Sequence, residues 1–327
     1  MSGFTAAMSV SDVFAADVAQ VEQPFGRALI EAGREHPEIV GLTADLGKYT
    51  DIEPFGREFP ERYFQIGMAE QNLIGIVAGM SRTGLIPFAT TYCVFATRRA
   101  YDFIAIDVAY GRANVKIFAG LPGLTTGYGA THQGIDDLAL MRSMPNMTVI
   151  DPCDATEIQQ VVRAAVEFRG PIYCRNLRGS VKVVLDPASY RFEIGKARLL
   201  RDGADIALIS TGLMTERALD AAAQLREAGI AASVLHVPTL KPLDTEAILE
   251  TALRTGRVLT MENHSTVNGL GTAVAEALAE GGVGAKLKKI GVPDVFVECG
   301  SVPHLTEKYG LTAAAAVRRA KMLLEQA

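Results

Sequence analysis

No CxxC pair occurs in this sequence, and its four cysteines, Cys93, Cys153, Cys174 and Cys299, lie far apart. That spacing argues against a disulfide framework and a structural zinc site. Buried free thiols in a reducing cytosol are the simpler reading. There is no block of basic residues either: 32 Lys and Arg stand against 37 Asp and Glu, for a net charge of −5. Nucleic acid is therefore not an expected partner. No apolar run is long enough to span a bilayer. The first twenty residues contain Asp12 and Asp17 but no Lys or Arg, so the basic start of a secretory signal is missing. A cytoplasmic location is expected. The sequence also has no GxxxxGK[ST] nucleotide loop, no internal repeat and no low-complexity tract.

What is there is an ordinary globular balance, 49% hydrophobic and 21% charged, over 327 residues. That length is too great for one core and predicts two domains. Short apolar runs at 39–43, 62–66, 85–89, 115–119 and 148–150 read as strands covered on both faces. Helical patterns near 25–36, 69–83, 95–110, 134–143 and 154–168 alternate with them. Proline and small polar residues at 185–190 mark a boundary. Beyond it, strands at 205–210, 232–237 and 257–261 alternate with helices near 213–228, 244–254, 269–280 and 312–325. The expected fold is α/β, two domains each with a mainly parallel sheet flanked by helices. The expected divisions are an N-terminal arm over 1–20 packing on a partner, a first domain over 21–188 and a second over 189–327.

The residue that points to chemistry is Glu70. It sits in Gly67-Met68-Ala69-Glu70-Gln71-Asn72, where a strand pattern gives way to an apolar helix. Glutamate is seldom buried without a partner, so an acid at the mouth of an apolar element is a candidate site. Taken alone, an acid complementing the helix dipole is the commoner use. The segment, however, resembles the glutamate motif of thiamine-diphosphate enzymes of the transketolase superfamily. Three more resemble that family in the same order: 87–95 (PFATTYCVF), 129–134 (GATHQG) and 144–152 (MPNMTVIDP). The similarity runs from about Pro24 to near the C-terminus. It is nearest to the C-terminal half of a transketolase encoded as a separate subunit, with a pyrimidine-binding domain followed by a transketolase C-terminal-like domain.

The resemblance implies roles residue by residue. Glu70 would hydrogen-bond a ring nitrogen of the cofactor's aminopyrimidine and act as a catalytic group. Tyr92 and Phe95 would pack on that ring, with Ile66 and Met68 beside it; core packing is the plainer use of such aromatics. His132 would be the second catalytic group, meeting a substrate hydroxyl or carbonyl; a helix-start histidine satisfied by backbone is the alternative. Arg175 matches the arginine that grips a sugar phosphate. An ion pair is about as common for an arginine after a strand, and Arg178 is a neighbouring candidate. Tyr128, Lys48 and Arg98 complete the implied substrate contacts, Arg98 standing where the family often has a third aromatic. Of the other histidines, His236 reads as structural and His264 as a residue at a subunit contact.

The family holds the diphosphate and its divalent cation with Gly-Asp-Gly followed by Asn, a hard-ligand set. This sequence has no Gly-Asp-Gly. The resemblance thus implies that thiamine diphosphate and Mg²⁺ are gripped by an N-terminal-half partner, in an α2β2 heterotetramer, and that this chain itself supplies no metal ligand. The implied activity is transfer of a two-carbon ketol unit from a ketose to an aldehyde. Alternatives are a deoxyxylulose-phosphate-synthase-like or 2-oxoacid dehydrogenase β-like enzyme, or a non-catalytic assembly subunit. Gly127-Tyr128-Gly129 replaces the family's Glu-Asp-Gly, and Tyr49 stands in place of a phosphate-binding serine. Buried polar contacts dominate specificity, so an atypical sugar or sugar phosphate is expected.

Overall fold

The structure, a computed structural model, describes residues 19–325. The expected arm over 1–20 lies outside the described residues as far as residue 18. Gln20 already belongs to the strand Gln20–Glu22, which pairs antiparallel with Ser180–Lys182.

The first sheet has seven strands in the order Thr239–Lys241, Thr148–Ile150, Ile172–Asn176, Lys116–Gly120, Ile86–Tyr92, Ile39–Thr43, Tyr63–Gln65. All neighbours are parallel except the first pair. Its four central strands are buried along their whole length, as parallel strands sandwiched by helices must be. On one face, the helices Pro24–Glu35 and Ala155–Glu167 bury Phe25, Leu29, Ile158 and Val161 against Phe88 and Phe118. Phe25 stacks on Phe118 with ring centroids 4.7 Å apart. On the other face, Leu73, Ile74 and Val77 of the helix Glu70–Ser81 pack with Ala89, Ile117 and Tyr173.

The second sheet runs Lys286–Val292, Arg257–Ser265, Ile206–Ser210, Ala232–His236, Arg198–Arg201, parallel except at the last strand. Two of its edge strands and the helix Val302–Lys308 escape the sequence reading. Lys286–Val292 reads KLKKIGV, with Lys286 and Lys288 exposed; charge on an edge protects it from stray pairing and hides the apolar signal. Arg198–Arg201 is framed by arginines for the same effect. Thr239–Lys241 escapes as well. It follows the second domain's third strand in sequence but joins the first domain's sheet.

Helical winding from 95 to 110 begins where the periodicity places it. It is a π-helix over Phe95–Arg99, an α-helix over Ala100–Phe103 and a π-helix over Ile104–Tyr110. Such wide turns recur at functional sites. The strand before it extends to Tyr92, three residues beyond the apolar run.

A buried polar seam joins the two domains. Glu157 of the first lies 2.9 Å from His236 Nε2 of the second, and the Tyr190 hydroxyl donates to the same carboxylate. Burial pushes Glu157 up, but the His236 charge and hydrogen bonds outweigh it and hold the carboxyl below its usual range.

Candidate active site

Parallel α/β sheets present their ligand sites beyond the carboxyl ends of their strands. Here five neighbouring strands end on one edge. The register sets Tyr92, Gly120 and Asn176 side by side. The loops that follow carry Lys48 and Tyr49, then Ile66, Met68 and Glu70, then Phe95 and Arg99, then His132, then Arg178.

Glu70 is the first residue of its helix and is only 3% exposed. Its Oε1 accepts from Arg99 Nη1 at 3.0 Å. The Arg99 side chain is half exposed, and its guanidinium carbon lies 4.0 Å from the centroid of the Phe95 ring, within cation–π range. His132 meets Phe95 edge-on, with centroids 5.4 Å apart, and contacts Tyr128 at 5.4 Å and Tyr92 at 6.1 Å. Thr131 Oγ1 lies 2.9 Å from His132 Nδ1, and Nε2 makes no hydrogen bond among the described residues. A carboxyl, two aromatic faces and an imidazole thus share one cleft. Ile66 is half-buried and Met68 stands exposed on the approach to Glu70.

Burial first, and the Arg99 charge second, lower the pKa of His132. A lowered histidine is neutral at pH 7 and gains its proton only below the ordinary range. Arg99→Gln removes one of the two causes. The acid limb of a pH–rate profile is expected to move upward in that variant, whatever happens to its maximum; an unmoved limb would detach His132 from the observed titration.

Three expectations are corrected. Arg175 does not face the cleft. It lies inside the strand Ile172–Asn176 and is 1% exposed. Its guanidinium donates to Asp137 at 2.6 and 2.8 Å and lies 3.5 Å from Asp151. Its remaining hydrogen bonds go to the Gly134 and Asn263 carbonyls. The sequence places this arginine after the strand, whereas the strand runs through it. Arg178, beyond the strand end, reaches the cleft edge instead. It is 9% exposed, its guanidinium carbon lies 6.0 Å from the Tyr49 ring, and it makes no ion pair within 4.0 Å among the described residues. Arg98 is a strap rather than a free substrate contact: it forks onto Asp136 at 2.9 Å and donates to the Ala130 carbonyl. His264 is fully buried within the chain, where Nε2 accepts from the Ala139 N–H; it is not a surface residue at a subunit contact. Lys48 and Tyr128 are exposed at the cleft.

Arg99 was not singled out by the sequence motifs. Its spacing of four from Phe95 is the signal that could have placed it on the same helical face. Among the described residues, the one cluster of three metal-ligand types is Cys153, Glu157 and His236, all buried. Glu157 already accepts from Tyr190 and the Cys153 N–H and pairs with His236. The set is satisfied internally, and its thiol and imidazole do not suit a hard cation.

Comparison with known proteins agrees along the chain. The transketolase pyrimidine-binding domain model matches residues 18–183, and the transketolase C-terminal domain model matches 195–315. An uncharacterised transketolase family protein of Sinorhizobium fredii is 50% identical, over 98% of this chain and 94% of its own. A 6-deoxy-6-sulfo-D-fructose transketolase subunit of a Clostridium species is 40% identical, over 91% and 92%. A solved split-gene transketolase, described as an inactive β4 tetramer, superposes with a TM-score of 0.86 at 46% identity, covering 92% of this chain and 97% of that one.

Proposed function

Because the chain belongs to the transketolase family, we propose that it is the C-terminal-half subunit of a split transketolase, moving a two-carbon ketol unit from a ketose to an aldehyde. The observation that carries this reading is the buried Glu70 carboxyl at the cleft mouth, beside Phe95 and within one cluster of His132.

That donor set fits the aminopyrimidine half of thiamine diphosphate. A carboxyl that can hold or share a proton suits a ring nitrogen, and aromatic faces suit a flat heterocycle. When bound, the cofactor supplies the nucleophilic carbon that cleaves and remakes the bond beside the carbonyl. Glu70 holds the proton at the pyrimidine nitrogen. Phe95 and Tyr92 exclude water and fix the ring plane, with Ile66 and Met68 along its approach. His132, neutral and with Nε2 free, takes or gives a proton at a substrate oxygen. Arg178 and Lys48 favour a substrate with an anionic end, and Tyr128 closes the outer wall. A negatively charged ketose such as the Clostridium relative's 6-deoxy-6-sulfo-D-fructose matches that charge.

The diphosphate and Mg²⁺ belong, on this reading, to an N-terminal-half partner, because the chain has no Gly-Asp-Gly. Two copies of each would form the working α2β2 assembly. Phe103, Ile106 and Tyr110 stand exposed along the helical stretch 95–110, where a second subunit would cover them.

Mixing the chain with such a partner, thiamine diphosphate and Mg²⁺ tests the proposal. Two-carbon transfer between a ketose and an aldehyde is expected, and only when both polypeptides are present. Carbon dioxide release from pyruvate would reassign the chain to decarboxylating condensation. Inactivity toward both donor classes would leave an assembly subunit.

A further inference from the structure

The loop that carries His132, residues 121–134, leaves the strand Lys116–Gly120 in the first domain but is held by the second. Asn263, near the end of the strand Arg257–Ser265, is 3% exposed. Its Oδ1 accepts from the Leu124 N–H at 2.9 Å, and its Nδ2 donates to the Pro122 carbonyl at 3.1 Å. One amide side chain therefore closes on both sides of Gly123. That glycine has φ +56°, and a Cβ there would come within 2.1 Å of the Asn263 carbonyl oxygen. Leu121, two residues earlier, is left-handed at φ +55°, an uncommon state for a side-chain-bearing residue. Such conformations persist only where their surroundings over-determine them.

Further grips follow along the same loop. The Gly300 N–H donates to the Gly127 carbonyl at 3.1 Å, and a Cβ on Gly127 would meet the Gly300 oxygen at 2.1 Å. The Ser265 N–H donates to the Ile135 carbonyl at 2.8 Å. Leu121 in turn packs with Tyr92, Val94 and Phe95, the wall against which His132 stands.

We infer that Asn263 is a positioning residue for His132: the second domain, through this one amide and the Gly127–Gly300 contact, sets the shape of the loop and with it the place of the imidazole. The catalytic consequence rests on the function proposed above; the positioning itself does not. Well-oriented groups lose rate steeply on small displacement, so a loosened loop should lower turnover without weakening cofactor binding, since Glu70 and Phe95 lie on other elements.

Two variants test this, Asn263→Ala and, in case that one fails to fold, Gly127→Ala. In the isolated chain, amide hydrogen exchange over 121–135 is expected to quicken while the strand Lys116–Gly120 keeps its protection. The His132 ring, followed by NMR on isotope-labelled histidine, should titrate closer to free histidine. In the complex reconstituted with its partner, kcat should fall by about a hundred-fold with KM for thiamine diphosphate unchanged. Parent-like exchange and ring titration in both folded variants would overturn the inference. So would a loosened loop with undiminished kcat. If the unsubstituted complex turned over no ketose, the functional reading would fall, while the exchange and ring titration would still decide whether Asn263 places His132.

Discussion

Glu70→Gln is expected to lower kcat of the reconstituted enzyme by about 10²–10⁴-fold, the range over which a positioned acid or base contributes. The amide keeps the shape of the acid and can still accept from Arg99, so the cleft should be undisturbed. It cannot hold a transferable proton. The fold has little at stake: the partner guanidinium is half exposed, and pairs with so much solvent contact contribute about 0–1 kcal/mol. A thermal melt should therefore superimpose on that of the parent. Near-normal turnover in this variant would remove Glu70 from the chemistry and leave it as an N-terminal helix acid.

The second large effect is on stability. Arg175→Leu should destabilise the chain by about 3–5 kcal/mol, the cost of leaving one side of a buried pair unpartnered. That is a large share of the roughly 5–15 kcal/mol by which a domain is folded. Asp137 and Asp151 would then face each other without a cation. Burial pushes Asp137 up, and the Arg175 charge and hydrogen bond outweigh it to hold the carboxyl below its usual range. Burial raises Asp151 to about 6 even with the arginine present. The Asp137 contribution is complete above the ordinary carboxylate pKa and is lost as pH falls through its depressed folded value. Urea unfolding at neutral pH reads the effect directly. An unchanged midpoint with a raised KM for the sugar would return Arg175 to the substrate.

Much of the fold was legible. The runs at 39–43 and 148–150 are strands to the residue, because strands buried on both faces are written in apolar letters bounded by turns. Glu70, Phe95 and His132 were singled out only through motifs that resemble the family's; the structure links Glu70 to Phe95 through Arg99 and sets Phe95 against His132. Arg175 and Arg178 were not separable by pattern. Three residues decide between interior and rim, and only the strand's true end at Asn176 tells which arginine is which. Asn263 carried no local signal at all. Its partners lie about 140 residues away, and nothing around it in sequence distinguishes a strand amide that clamps a distant loop from one on the surface.

The border strand Thr239–Lys241 has a practical corollary. Dividing the gene at the linker would not liberate an autonomous first half. The truncated product would present Thr148–Ile150 as a bare rim with unmet amides and carbonyls, ready to recruit copies of itself. Attempts to express residues 21–188 alone should yield insoluble material, and supplying the missing half in trans should restore solubility.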